Sequence, residues 1–155
     1  RDIPIVPPKG PVEPGHAPHC TLTVGQDEIP VACLSLGNPH AVQFIDGPPD
    51  TYPLDDIGPQ VEHHPTFPQR VNFEVAQIVS ANQVMARVWE RGVGETLACG
   101  TGACAIAVVG QQEGLLDSPV DVLLPGGRLT VHWDGQGEVL LTGPAEVVFT
   151  GEWPE

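Results

Sequence analysis

Basic residues are scarce in this sequence: six lysines and arginines stand against twenty aspartates and glutamates, a formal net charge of −14. A chain that negative has no general attractive field for nucleic acid or for an anionic membrane, which excludes both as partners short of a local basic patch. Long apolar runs are missing as well, and no stretch approaches the ~20 residues that a membrane-spanning helix requires. The opening RDIPIVPPKG is polar and proline-rich, has no initiator Met and shows no secretory signal, so residue 1 is expected not to be the natural start. The four cysteines, at 20, 33, 99 and 104, form no CxxC pair. That spacing argues against a disulfide framework or a structural zinc site and fits reduced thiols in the cytoplasm. His16, His19, Cys20 and the His63-His64 pair pose a metal site, but GHAPHC has no standard spacing partner, so no metal is expected.

What is present fits one domain. The 155 residues are 41% hydrophobic, enough for a real core but too few residues for two domains. Residues 1–20 carry Pro4, Pro7, Pro8, Pro11, Pro14 and Pro18 and read as an extended segment or linker, leaving 21–155 as the domain. Thr21–Val24 and Ile29–Leu36 flank GQDE as a hairpin, and Ala41–Ile45 is a third strand. Tyr52–Pro68 predicts one short helical turn. Val71, Phe73 and Val75 alternate with polar residues, as do Val84, Ala86 and Val88 beyond Ser80-Ala81-Asn82, which predicts a second hairpin with one buried face. Ala103–Val109 is apolar all round and predicts a buried helix that ends near Gly110 or Gly114. Strands over Val120–Leu124, Leu129–Trp133, Val139–Leu141 and Ala145–Phe149 follow, joined by glycine turns. The expected fold class is α+β: a bent, antiparallel-rich sheet closed around one buried helix.

The chemistry gathers at Cys99-Gly100-Thr101-Gly102, just ahead of that helix. A thiol at a helix N-terminus sits in the positive end of the helix field, which is expected to lower its pKa. The glycines admit a ligand close to the backbone, and the unpaired N–H groups of the helix's first turn suit a carboxylate or phosphate. Thiolate and anion cradle together point to reaction at a carbon next to a carboxylate; a buried cysteine in a tight turn fits the same residues. Glu90-Arg91 lies close upstream, where Arg91 could clamp a carboxylate and Glu90 accept or donate a proton. Gly37-Asn38-Pro39-His40 sits on a turn, so Asn38 could bind an amino acid and His40 relay a proton.

The run Arg87–Ala105, RVWERGVGETLACGTGACA, closely resembles the second catalytic segment of the diaminopimelate epimerases. LGNPHAVQF (36–44), RVNFEVAQIV (70–79) and the final GPAEVVFTGEW resemble other segments of that family, in order, from about Thr21 onward. The resemblance implies a cofactor-independent amino-acid epimerase in which two thiols face opposite sides of a substrate α-carbon. One removes the α-proton and the other returns one from the far face, interconverting LL- and meso-diaminopimelate. Cys99 matches one of those thiols. Gly100 and Thr101 match the backbone donors to the reacting carboxylate, and His40 and Glu90 match residues that adjust the thiols. Asn38, Asn72, Glu90 and Arg91 match substrate contacts, with Arg91 on a carboxylate.

The family's chains are about twice as long and are built from two similar halves. The partner thiol lies in an Asn-x-x-Gly-Asn-Gly-x-Arg-Cys type motif that this sequence lacks. The resemblance therefore implies the C-terminal half, inactive without its N-terminal partner half, and in a family that commonly forms homodimers. The proline racemase and hydroxyproline epimerase relatives share a CGTG-type helix start but have Asp-Arg-Ser-Pro before the cysteine, unlike ERGVGET here. Phenazine-type isomerases lack the cysteine. A stand-alone carboxylate-binding module that has lost catalysis is the alternative from another class.

Overall fold

The structure, a computed structural model, describes residues 16–154, so most of the proline-rich segment lies outside the described residues. Nine strands form one mixed sheet: β1 (His19–Val24), β2 (Asp27–Ser35), β3 (Pro39–Phe44), β4 (Asn72–Ser80), β5 (Gln83–Glu90), β6 (Gly94–Thr96), β7 (Val120–Leu124), β8 (Gly127–His132) and β9 (Leu140–Thr142). The main path runs β1-β2-β3-β4-β5-β7-β8-β9, with β6 paired to β5. The outer edge of β5 is shared, since Gln83–Met85 pair with β7 and Val88–Glu90 with β6.

Two helices complete the fold of the described residues: α1 (Leu54–Glu62), preceded by a 3-10 turn at Pro49–Thr51, and α2 (Gly100–Gln112). Each lies in a crossover between parallel strands, α1 from β3 to β4 and α2 from β5 to β7. Both crossovers step the same way along the sheet, yet β4 and β5 are antiparallel. The right-handed sense common to such crossovers then sends the helices to opposite faces. The packing agrees. Leu54 and Val61 of α1 cluster with Ile29, Val31, Ala41, Phe73 and Val75, whereas Ile106 and Val109 of α2 cluster with Val42, Ala76, Val84, Ala86 and Val88.

This arrangement corrects the closed sheet that the sequence predicts. β1 and β9 end the sheet with no pairing between them among the described residues; the sheet stays open because each helix covers one face. The same arrangement corrects the hairpin with one buried face. On β4, Phe73 and Val75 are buried under α1, while Glu74 and Ala76 are buried under α2. Tyr52–Pro68 holds a nine-residue helix rather than one turn; its buried Leu54, Gly58, Val61 and Glu62 make one helical face despite Pro59 in the interior. The expected strand over Ala145–Phe149 is absent among the described residues, where Val147, Val148 and Phe149 are exposed.

Helix α2 passes through Gly110, whose missing Cβ leaves room for the side chain of Leu116. It stops at Gly114 (φ 69°), a left-handed residue that lets Leu115 N–H return to the Gly110 carbonyl at 2.8 Å. Burial of Gly102 through Gly110 on nearly every side fixes where its N-terminus, and Cys99, must lie.

Candidate active site

Cys99 is the N-cap of α2. Its backbone is extended (φ −132°, ψ 113°), and its sulfur accepts the Gly102 N–H at 3.4 Å. An oxygen side chain caps a helix better than sulfur does, so the thiol is a costly choice if capping were its whole role. The amides of Gly100 and Thr101, in the same first turn, find no acceptor among the described residues. Gly102 is closely packed: a Cβ at that position would stand 3.1 Å from Glu74 Oε1, 3.3 Å from Cys99 Cβ and 3.4 Å from Cys99 Sγ.

The sheet brings the remaining groups to this end of α2. Period-two alternation aims His40 of β3 and Glu74 of β4 at the α2 face, and both side chains are fully buried. Glu74 Oε1 lies 2.6 Å from His40 Nδ1. His40 Nε2 lies 3.0 Å from Asn38 Oδ1, Asn38 Nδ2 donates to Thr101 Oγ1 at 3.2 Å, and Thr101 Oγ1 is 3.6 Å from Cys99 Sγ. Four of the expected residues, Asn38, His40, Cys99 and Thr101, thus form one continuous chain of contacts with Glu74 at its far end. Glu90, at the end of β5, accepts from Thr96 Oγ1 at 2.6 Å.

The thiol departs from the expected direction. Burial pushes the Cys99 pKa above its ordinary value; the Thr101 hydroxyl and the Gly102 amide pull it down, and the negative charge of Glu90 and Glu74 adds to the rise. The net direction is upward, opposite to the lowering expected of a thiol at a helix N-terminus. Burial likewise pushes Glu74 up, against the opposing pull of His40.

Asn72 and Arg91 are placed differently from each other. Asn72 is buried and acts as a brace: its Nδ2 donates to the Pro39 carbonyl at 3.0 Å and its Oδ1 accepts the Arg91 N–H at 2.8 Å. It ties the start of β3 to the turn after β5. The exposed Arg91 guanidinium donates to the Gln69 carbonyl at 3.1 Å and makes no ion pair among the described residues. Cys33 is buried on the α1 face, with its sulfur 3.7 Å from that of Cys20 on β1, so this pair lies across the sheet from Cys99. Cys104 is in the core around α2. Among the described residues no three His, Cys, Asp or Glu side chains gather as a metal-binding group; His19 instead lies 3.2 Å from Glu113. Among the described residues no helix is long and apolar enough to cross a membrane.

The match to known proteins falls on this site and the sheet beneath it. The family model for diaminopimelate epimerase matches residues 32–148, which run from within β2 through β9 and include Asn38, His40, Asn72, Glu74, Glu90, Arg91, Cys99 and Thr101. The chain belongs to the diaminopimelate epimerase family. It is 50% identical over 133 residues to the diaminopimelate epimerase of Stutzerimonas stutzeri, covering 85% of this chain and 48% of that protein. It is 54% identical over 123 residues to the Pseudomonas entomophila enzyme of the same name, covering 79% and 44%. With the Acaryochloris marina diaminopimelate epimerase the figures are 50% over 133 residues, covering 84% and 46%. The chain spans about half the length of these relatives.

Two carboxylates of this epimerase-family chain escape sequence reasoning. Glu74 sits between Phe73 and Val75 and reads as a solvent-side residue if one face of the hairpin is taken as wet; only the second helix buries it. Glu62 closes α1 and is 5% exposed. Its Oε2 accepts the Trp89 indole N–H at 2.8 Å and its Oε1 the Gly92 N–H at 2.9 Å, so it clamps the turn that carries Arg91. Burial raises its pKa, but Trp89, Gly92, His63 and Arg70 together outweigh that and hold the carboxyl below its usual range. The signal available in sequence was the spacing of Leu54, Gly58, Val61 and Glu62 on one helical face.

Proposed function

We propose that this chain is one half of a cytoplasmic, cofactor-independent epimerase that interconverts LL- and meso-diaminopimelate, with Cys99 as one of its two acid–base groups. The observation that carries the reading is the Cys99 thiol at the N-terminus of α2, beside the open amides of Gly100 and Thr101. A carboxylate on those amides brings the adjacent α-carbon to the sulfur, and the amides meet the charge that develops as the α-proton leaves. The exposed Arg91 takes a substrate carboxylate, and Asn38 and Glu90 contact its polar groups.

The proton count requires a second group. A thiolate on one face takes the α-proton: the C–H bond breaks, an S–H bond forms, and the electron pair is spread into the carboxylate. The thiol on the opposite face then gives up its proton to the carbon, leaving a thiolate, and the centre is inverted. Cys99 donates in the direction for which it begins as the thiol and the other sulfur as thiolate, and abstracts in the reverse direction. The described residues offer no second thiol on the Cys99 side of the sheet other than the core residue Cys104. The partner group therefore comes from an N-terminal half, and the present chain alone does not invert its substrate. His40 acts on Cys99 through Asn38 and Thr101, and Asn72 holds the elements that carry His40 and Arg91.

The test is stereochemical. The full-length protein, supplied with LL-diaminopimelate, is expected to reach a mixture with the meso form, whereas residues 1–155 alone are expected to bind it without inversion. Inversion of proline or hydroxyproline, with diaminopimelate untouched, would move the protein to the racemase branch. Binding without inversion by the full-length protein would make it a carboxylate-binding module.

A further inference from the structure

Glu74 is a costly residue where it stands. Its side chain is fully buried, Oε1 lies 2.6 Å from His40 Nδ1, the Ala41 amide is the one backbone donor that acts on the carboxyl, and Oε2 has no partner within hydrogen-bond distance and angle. A carboxyl group with an orphaned oxygen in an apolar layer weakens a fold unless the group does something else. The contacts show what depends on it. Asn38 presents Oδ1 to His40 Nε2 and Nδ2 to Thr101 Oγ1, so Nε2 carries a proton and the threonine oxygen is already an acceptor. The Thr101 hydroxyl proton is then left for Cys99 Sγ, next to the Gly102 N–H that the sulfur also accepts. With Nε2 protonated, the contact between Nδ1 and Oε1 must hold one more proton, on the ring or on the carboxyl. Every donor in the chain points toward the sulfur only while that contact stands.

We infer that Glu74 is a positioning residue for Cys99: by holding His40 through Nδ1 it sets the polarity of the chain His40–Asn38–Thr101, and so aims the Thr101 hydroxyl at the sulfur. If the imidazole turns or bares Nε2, the Asn38 amide reverses, Thr101 donates to Asn38 Oδ1, and Cys99 loses one of its two donors. The inference rests on the reading of Cys99 as an acid–base thiol and adds to it a residue that touches neither the sulfur nor a substrate.

Two effects of Glu74 on the thiol have opposite signs, which makes the inference testable. As a nearby negative charge, Glu74 would disfavour the thiolate, and its removal would speed alkylation of Cys99. As the anchor of the chain it favours the thiolate, and its removal slows alkylation. The rate of reaction with iodoacetamide, read at the Cys99 peptide by mass spectrometry, decides between them in the full-length protein. Glu74→Met, which fills the space without a hydrogen bond, is expected to slow Cys99 by about tenfold, the scale of one hydrogen bond to a charged group. Glu74→Gln, whose amide can donate to Nδ1, is expected to restore the rate. In a Thr101→Val background Glu74→Met is expected to add nothing, because the chain is already cut.

A faster or unchanged rate in Glu74→Met, or a full further slowing on top of Thr101→Val, overturns the inference. A measurement on the unaltered protein needs no variant to fold: nitrogen NMR of His40 is expected to show Nε2 protonated, and a bare Nε2 overturns it equally. None of these readouts uses substrate. If the chain behaves as described but diaminopimelate is not inverted, the proposed function fails and the positioning role stands. If diaminopimelate is inverted but Cys99 ignores Glu74, the function stands and the positioning role fails.

Discussion

The sulfur of Cys99 caps the helix that Gly102 helps to begin, accepting the Gly102 N–H at 3.4 Å, so the group proposed to carry protons also terminates the helix N-terminally. The two roles separate by substitution. Cys99→Ser keeps a cap and is expected to melt within a degree or two of the parent while losing proton exchange. Cys99→Ala loses the cap and is expected to be less stable by about 1 kcal/mol. Thermal unfolding of both variants checks this; equal stability of the two would remove the capping role.

The close approach at Gly102 gives a second expectation. Alanine suits a helix better than glycine by about 1 kcal/mol, so Gly102→Ala would stabilise an ordinary helix. Here the added Cβ meets Glu74 Oε1 at 3.1 Å and Cys99 Sγ at 3.4 Å, in a fully packed layer. We expect little gain in stability and a loss of epimerisation smaller than the 10²-fold that a displacement of about 1 Å in a reacting group causes, because the neighbours of the new Cβ need to give by only a fraction of that. Wild-type turnover in this variant would show that the sulfur needs no such exact placement.

Glu62 contributes to the acid limb of stability. Its carboxyl is held below the usual range by Trp89, Gly92, His63 and Arg70, against its burial. A carboxylate with a lowered folded pKa contributes stability that is fully present above the unfolded value, about 4.3, and that is lost as pH falls through the folded value. Glu62→Gln presents an amide to two donors, the Trp89 indole and the Gly92 N–H, and leaves one of them unmatched. The expected cost near neutral pH is about 1–3 kcal/mol, shrinking as the pH is lowered below 4. Denaturant midpoints from pH 7 to pH 3 measure it; a cost independent of pH would assign the effect to packing alone.

Arg91 tests the other side of the site. Its guanidinium is exposed and donates only to the Gln69 carbonyl among the described residues, so Arg91→Ala removes little that holds the fold. Its melting temperature is expected to stay within about 2 °C, consistent with the small effects of exposed substitutions, while KM rises far more than kcat falls. A large drop in melting temperature with KM preserved would make Arg91 a structural residue.

Much of this arrangement is legible in the residues themselves. The hairpins over β1–β2 and β4–β5 follow from alternation and turn residues, and the all-apolar Ala103–Val109 announces a helix in the middle of the fold. Asn38, His40, Cys99 and Thr101 are recognisable by motif, and the sheet does bring them into one chain of contacts. What escapes depends on the second helix. Pro59 disguises α1, and without α1 and α2 on opposite faces β4 reads as a half-wet strand; Glu74 then passes for a surface carboxylate instead of the partner of His40. The direction of the Cys99 pKa escapes for the same reason, since the helix field is local in sequence whereas burial and the charges of Glu74 and Glu90 come from distant strands. The strand expected over 145–149 fails because alternation supplies the apolar side chains but not the neighbour they need.

The most direct test of Cys99 as an acid–base group is solvent exchange at the substrate α-carbon. Full-length protein and its Cys99→Ser variant would each be incubated with LL-diaminopimelate in deuterium oxide, and α-deuterium followed by NMR. We expect the unaltered protein to place deuterium at the inverted centre, and the folded serine variant to lose epimerisation with it. Deuterium incorporation and inversion at the wild-type rate in Cys99→Ser would contradict the central claim, and the thiol at the head of α2 would be a cap and nothing more.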